Sequence, residues 1–210
     1  MKGTHCYSVG RFASAMAMYQ HMVSLLAQPD LQCVRNYTGE IGDMSSHSYT
    51  VITDLFPAAA LDFYTRFNLG TLDPGSPTDA ELTRRFYNPD RGGAQGDYRV
   101  GMQRKIDNIV DCLTRYPGSK RAVLTVPLSE VTSVQVSHQD TAEAKCLREL
   151  HFYIEDGALH CTGFMRAQAV IIFPKNIHLI GSLMALIAQR LSVPVGTYTH
   201  FVTTLVSGRD

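Results

Sequence analysis

Apolar residues recur along this chain with two different periods, and the switch between them orders the elements. In residues 11–28, Phe12, Met16, Tyr19, Val23 and Leu26 follow at 4-3-4-3 spacing. That spacing predicts one helix with a single apolar stripe. Pro29-Asp30 closes it. Residues 31–54 are mixed and rich in Thr, Ser and Gly, and Ser48 to Thr53 predicts a strand. A short helix is predicted over Ala58 to Phe67. Between Gly70 and Gly96, Pro74, Pro77, Pro89 and repeated glycines predict a long loop. A helical turn interrupts it from Asp79 to Phe86, with Thr78 as its cap. A loop of that length inside a compact domain is usually functional or mobile.

The second half has sharper signals. Ile106, Ile109, Val110 and Leu113 form a helical stripe that Pro117-Gly118 ends. Ala122 to Val126 predicts a buried strand, and Val131 to Val136 an alternating one. Leu150, Phe152 and Ile154 alternate with His151, Tyr153 and Glu155. Asp156-Gly157 then signals a type I′ turn. After it, Leu159, Cys161, Gly163 and Met165 alternate with His160, Thr162, Phe164 and Arg166. A hairpin is therefore predicted over residues 149–166. Residues 176–191 carry the strongest helical pattern, and Pro194 and Gly196 lead to a strand from Tyr198 to Val206. The expected fold is α+β: one domain over residues 1–210, with a mixed sheet covered by helices on one face. The other sheet face would need a partner if it is apolar.

Composition narrows the classes. With 45% hydrophobic and 18% charged residues the chain is not disordered, and it buries more surface than usual, as in an oligomer. Nineteen basic residues balance nineteen acidic ones, so no net field points to nucleic acid or anionic membrane. The most apolar runs, Val170 to Phe173 and Leu183 to Ala188, are too short to span a bilayer. Five cysteines, at 6, 33, 112, 146 and 161, are an odd number without a C-x-x-C pair, which argues against zinc and thioredoxin-type chemistry. With no signal peptide, a reducing cytoplasm is the expected location.

A few residues carry candidate chemistry. Lys120-Arg121 open a strand and Arg166 ends the hairpin. They are either charges that blunt an edge or an anion site whose guanidinium forks match phosphate oxygens. Cys146 stands beside Lys145 and Arg148. A lone cysteine is commonly an inert small hydrophobe, but neighbouring cations favour a reactive thiolate. Cys161 alternates inward and fits a core role. Asn176 begins the strongest helix, either as an N-cap or as an amide able both to donate and to accept. His151 lies on the polar face of its strand, as a surface or stacking histidine.

In order and spacing these pieces resemble the thymidylate synthase superfamily, over about half the chain from Tyr98 to His200. Gly118-Ser119-Lys120-Arg121-Ala122-Val123 is similar to that family's Ser-Arg-Arg turn, with Lys for one Arg. CLRELHFYIEDGAL, from Cys146 to Leu159, resembles its Pro-Cys-His nucleophile strand and hairpin. Arg166 resembles the Arg of its Gln-Arg-Ser motif, and Pro174-Lys175-Asn176-Ile177 its Pro-Phe-Asn-Ile helix start. The resemblance implies a thymidylate synthase-like domain dimerising through its sheet face. It implies that Cys146 adds to C6 of a pyrimidine ring and that 5,10-methylenetetrahydrofolate supplies one carbon to C5. Lys120 and Arg121 would bind phosphate in the partner's site. Arg166 would hold the same phosphate and support the thiolate. Asn176 would read the ring edge, favouring uracil over cytosine, and Arg35 would stand for the N-terminal phosphate-binding Arg.

The departures are specific. Leu147 replaces the His after the nucleophile, and His151 stands where the family has Gln in the substrate site. No Glu matches the proton-transfer segment; Glu40 and Asp62 are the nearest candidates. Tryptophan is absent, and no His-x-Tyr or closing tail follows His200. The expected function is a one-carbon transferase, methylating or hydroxymethylating a pyrimidine nucleotide or related small molecule. The alternatives are a non-nucleotide substrate and a non-catalytic binding or assembly protein. A cysteine hydrolase built on Cys146 lacks any family-specific signature.

Overall fold

The computed structural model describes residues 3–4, 8–29, 31–87, 97–126 and 145–208. The strand predicted from Val131 to Val136 and the last part of the proline-glycine loop, residues 88–96, lie outside them. Helix α1 (Ala15–Leu26) starts later than its sequence pattern, because Ser14 caps it: the Ser14 Oγ accepts from the Ala17 N–H at 3.3 Å. Its buried stripe is Ala15, Met18, Met22, Leu25 and Leu26, whereas Val23 is 43% exposed. Arg11 and Phe12, expected in this helix, instead end strand β2 (Ser8–Phe12). That strand and the short β1 (Gly3–Thr4) both run parallel to β3 (Cys33–Ile41).

Strand β3 corrects the expectation for residues 31–54. Val34, Tyr37, Gly39 and Ile41 are buried, but Asn36 has a φ of 50° and interrupts the alternation. Ser48 to Thr53 is not a strand. Asp43 holds a turn there, accepting from the Ser45 N–H at 2.8 Å and the Ser48 hydroxyl at 2.5 Å. Helices α2 (Ala58–Leu69) and α3 (Pro77–Phe86) follow. Ser76, not Thr78, caps α3. The Arg66 fork on Asp79, at 2.7 and 2.5 Å, ties the two helices together. Helix α4 (Met102–Arg115) then buries Met102, Ile106, Ile109 and Leu113.

The sheet is completed by β4 (Val123–Thr125), β5 (Leu147–Glu155), β6 (Ala158–Met165), β7 (Gln168–Ala169) and β8 (Val195–Val206). Its order is β1-β3-β8-β6-β5-β4, with β2 also on β3 and β7 also on β8. The hairpin β5–β6 turns at Asp156-Gly157, both at positive φ (48° and 75°), as the type I′ signal requires. Strand β8 is antiparallel to β3 and parallel to β6, so the sheet is open and mixed. Leu150, Phe152, Leu159, Cys161, Met165 and Val202 point into one core shared with α1, α4 and α5. Outward-facing Phe164 and Phe201 stack at 5.5 Å, outside that core. At Gly163, a Cβ would overlap the Tyr198 hydroxyl, so only glycine lets that ring lie flat on β6.

Helix α5 (Phe173–Leu191) packs across the inner face. Joined to the 3-10 turn Val170–Ile172, it forms a 22-residue apolar stretch, Val170–Leu191, long enough to cross a bilayer by length and composition. The separate short runs in the sequence conceal this continuity. It behaves as a core helix, 67% buried within the domain. Its start also overturns the capping alternative for Asn176. Ile172 occupies the N-cap, and Asn176 lies inside the helix, 4% exposed.

Candidate active site at Cys146

Cys146 precedes β5, and Arg166 follows β6. Pairing of the hairpin ends brings them together, with the Arg166 N–H donating to the Cys146 carbonyl at 2.8 Å. The guanidinium folds back, and its Nη2 lies 4.0 Å from the Cys146 Sγ. Cys146 is half-buried and not disulfide-bonded. The neighbouring strand fixes this end from the other side. The Thr203 hydroxyl donates to the Arg166 carbonyl, and the Arg35 guanidinium donates to the Thr204 hydroxyl. Cys146, Arg166 and Arg35 therefore gather at one end of the sheet.

Asn176 enters from the first turn of α5. Its Nδ2 donates to the Gln168 Oε1 at 2.9 Å, and Gln168 is anchored through its Nε2 to the Ala169 carbonyl at 2.6 Å. This leaves the Asn176 Oδ1 buried without a hydrogen-bond partner. A buried acceptor left open costs free energy, on the order of 1–3 kcal/mol. It is therefore a position that a ligand N–H would relieve.

Four residues that sequence reasoning did not single out as site residues surround this pair. Tyr98 is 4% exposed, and its backbone N–H donates to the Asn68 Oδ1 at 2.6 Å. Burial pushes its hydroxyl up, and negative charge on Cys146 adds to that. Tyr64, on α2, turns its hydroxyl toward Tyr98. The oxygen is buried, and its hydrogen-bonding neighbour is the Tyr98 hydroxyl. Burial, then the neighbouring Tyr98, Asp97 and Cys146, hold it well above the ordinary phenol range. Lys175, only 4% exposed, lies with its Nζ 4.5 Å above the Tyr64 ring. Lys145 donates to the Asp97 carbonyl and sits 5.5 Å over the Tyr98 ring, its ammonium drawn down by burial. Tyr64 and Lys175 read as ordinary helix residues because each sits in an apolar stretch. The available signal was a lysine in a helix start that is otherwise buried.

Other expected site residues lie elsewhere in the chain. His151 is exposed on the outer face of β5 and bonds to Glu149 at 2.8 Å. It stands five steps along the chain from Cys146, roughly 16 Å away. Lys120 and Arg121 are exposed and precede β4, whose Val123 pairs with His151 in antiparallel register. They lie farther still from their own chain's Cys146, roughly 20 Å or more. Glu40 pairs with Arg11 at 3.1 Å, and Asp62 with Arg66 at 3.7 Å. The structure brings neither to Cys146. A separate hollow of ≈ 590 Å³ opens one turn along α2 from Tyr64, lined by Phe67, Leu72, Pro74, Arg84 and Arg99 among others. Arg99 covers the Phe67 ring at 4.0 Å and pairs with Asp97 at 2.7 Å. Among the described residues no group of three or more His, Cys, Asp or Glu could hold a metal.

No family model matches the chain. It is 29% identical over 102 residues to a protein of Methanocaldococcus jannaschii named "Putative thymidylate synthase". The match covers 48% of this chain and 46% of the relative, so the chain spans about half the length of that curated relative. Beside a cysteine, a guanidinium and an open amide acceptor, the match suggests a thymidylate synthase-like relationship.

Proposed function

We propose that this protein is a thymidylate synthase-like one-carbon transferase that works through Cys146. The observation that carries the reading is the Arg166 Nη2 at 4.0 Å from the Cys146 Sγ, beside an Asn176 whose Oδ1 is buried and open. Arg166 offers a counter-charge to an attacking thiolate. Asn176, held by Gln168, accepts an N–H from a pyrimidine ring and turns C6 toward the sulfur. The Sγ–C6 bond forms, the ring double-bond pair moves toward the ring carbonyl, and C5 gains the electron density to take a one-carbon unit. A base then takes the C5 proton, and the same sulfur leaves as the C5–C6 double bond re-forms; a methyl product would also take a hydride from the reduced folate, which would be oxidised, and a hydroxymethyl product would take water.

The substrate class is a pyrimidine nucleotide. Arg35 and Arg166 at one sheet end suit its phosphate. Lys120 and Arg121 would join them only from a second copy, because their own Cys146 is out of reach. The outer sheet face, with Phe164 stacked on Phe201, suits such a homodimer. Methylenetetrahydrofolate would supply the one-carbon unit. The hollow beside α2 has a size suited to a heteroaromatic ring, with Phe67, Leu72 and Pro74 as apolar wall.

The test is mass spectrometry after incubation with methylenetetrahydrofolate and dUMP, dCMP or CMP. The expected result is a nucleotide heavier by one methyl or one hydroxymethyl group, absent with the Cys146→Ala protein. No product with any of the three nucleotides would overturn the reading. A second reading, a conjugated carbonyl substrate that is not a nucleotide, is favoured by the buried Leu147 in place of a polar residue after the nucleophile.

A further inference from the structure

A side-chain amide can present its oxygen or its nitrogen, and the two ends need opposite partners. At Asn176 a fixed backbone group makes the choice. The Ala169 carbonyl can only accept, so the Gln168 Nε2 faces it, at 2.6 Å. The Gln168 Oε1 then faces the other way and accepts from the Asn176 Nδ2 at 2.9 Å. With its nitrogen committed, Asn176 is left with an Oδ1 that is buried and without a partner. Turning Asn176 over alone would set its oxygen against the Gln168 oxygen. Turning both would set the Gln168 oxygen against the Ala169 carbonyl. Gln168 is 2% exposed and Asn176 4%, so water does not make good a lost bond.

The same short stretch of chain reaches the cysteine. Gln168 stands two residues after Arg166. The Arg166 backbone N–H donates to the Cys146 carbonyl at 2.8 Å, and its Nη2 lies 4.0 Å from the Sγ. Strand β8 holds both residues: the Thr203 hydroxyl donates to the Arg166 carbonyl, and Gln168 and Ala169 run parallel to Leu205 and Val206.

We propose that Gln168 is a positioning residue that makes Asn176 a one-way acceptor, so that the Cys146 site selects cyclic imides and lactams, whose ring nitrogen carries a hydrogen, over rings without it. The proposal rests on Cys146 as the attacking group and deepens that reading by naming what orients the ring. A ring N–H relieves the open Oδ1. A bare ring nitrogen puts two acceptors face to face, and a methylated one leaves the Oδ1 unpaired. Without Gln168, Asn176 can present either end, and the discrimination fades.

Maleimide and N-methylmaleimide differ at that hydrogen. Each takes up the Cys146 S–H across its double bond, sulfur on one carbon and hydrogen on the other, with no leaving group. Labelling rates at the Cys146 peptide are read by mass spectrometry, with the ratio of the two reagents in denaturant as reference. The native protein should favour maleimide by roughly tenfold over that reference. Gln168→Met keeps the length of the side chain without its amide and should bring the ratio to within about twofold of the reference. Gln168→Glu keeps an acceptor for the Asn176 Nδ2 and should retain most of the preference. No preference in the native protein overturns the proposal. So does an equal slowing of both reagents in Gln168→Met, which a purely structural role would give. If Gln168→Met does not fold, or Cys146 labels with neither reagent, neutron diffraction from deuterated crystals decides. Deuterons on the Asn176 atom facing Gln168 support the relay, and deuterons on its open atom overturn it. Neither nucleotide nor folate enters, so failure of the one-carbon chemistry and failure of the relay give different results.

Discussion

Cys146 and Cys161 belong to the same hairpin, and their surroundings are opposites. Cys146 lies just outside β5, half-buried, with the Arg166 Nη2 at 4.0 Å. Cys161 lies in the middle of β6, fully buried, and burial alone holds its thiol well above the usual range. It pairs across the ladder with Tyr198, whose hydroxyl bonds to the His200 Nδ1 at 2.9 Å. Both regions hold a buried polar atom without a partner, His200 Nε2 near Cys161 and Asn176 Oδ1 at the Cys146 end. The difference is the cation: a guanidinium stands beside the Cys146 sulfur, and the Cys161 thiol is held by burial alone. One chemical group becomes filler in the first setting and a candidate nucleophile in the second, because strand position decides what charge reaches the sulfur.

The contrast can be broken most directly at the sulfur itself. Cys146→Ala should lower turnover by about 10³-fold or more and leave the melting temperature nearly unchanged, as product assays and calorimetry would report. Large residual turnover would remove the distinction. With the native protein, iodoacetamide should label Cys146 on the order of 100-fold faster than Cys161 and lose that preference in denaturant, because Cys161 must wait for opening of the core. Comparable native rates would show that the interior is not closed.

The dry region also has its own pH dependence. Burial lowers the His200 pKa to about 3. The unfolded histidine, near 6.5, binds a proton that the folded one refuses, so stability should fall as pH drops from about 6.5 toward 3. Between pH 6.5 and 5 the loss is about 2 kcal/mol. His200→Gln keeps an amide near the Tyr198 hydroxyl and should flatten that slope in denaturation curves. An unchanged slope would place the titration elsewhere. The smallest effect belongs to Cys161→Ser. A hydroxyl buried in that setting costs about 1–2 kcal/mol, a melting shift of roughly 2–8 °C, with turnover at Cys146 unaffected. A loss of turnover there would mean that the two environments are coupled.

Local patterning reveals the hairpin well, because Asp156-Gly157 and the alternation on both sides act within one stretch of chain. It fails for β3, where Asn36 breaks the period of two, and for β2, whose Phe12 also fits a helical stripe. At the site, Cys146 and Arg166 stand out as chemistry-bearing types at element ends. Arg35 gains its meaning only from β8, since its hydrogen bond to Thr204 spans 169 residues. Tyr64 and Lys175 were hidden for a different reason. Their significance is burial against each other across α2 and α5, and no spacing within either helix encodes that.

The position of β8 between β3 and β6 has a consequence in time. The hairpin β5–β6 needs only neighbours in sequence and can close within microseconds. The β3–β8 ladder joins segments on opposite sides of almost everything else described, a loop closure that is intrinsically slow. During synthesis the hairpin would be complete while β3 still showed a naked edge to the cell. The hydroxyls of Thr203 and Thr204, which brace Arg166 and Arg35, arrive only with β8. A nascent chain would thus carry its cysteine well before it carries a finished anion site, and pulse-labelling of ribosome-bound chains would see the thiol before the pocket.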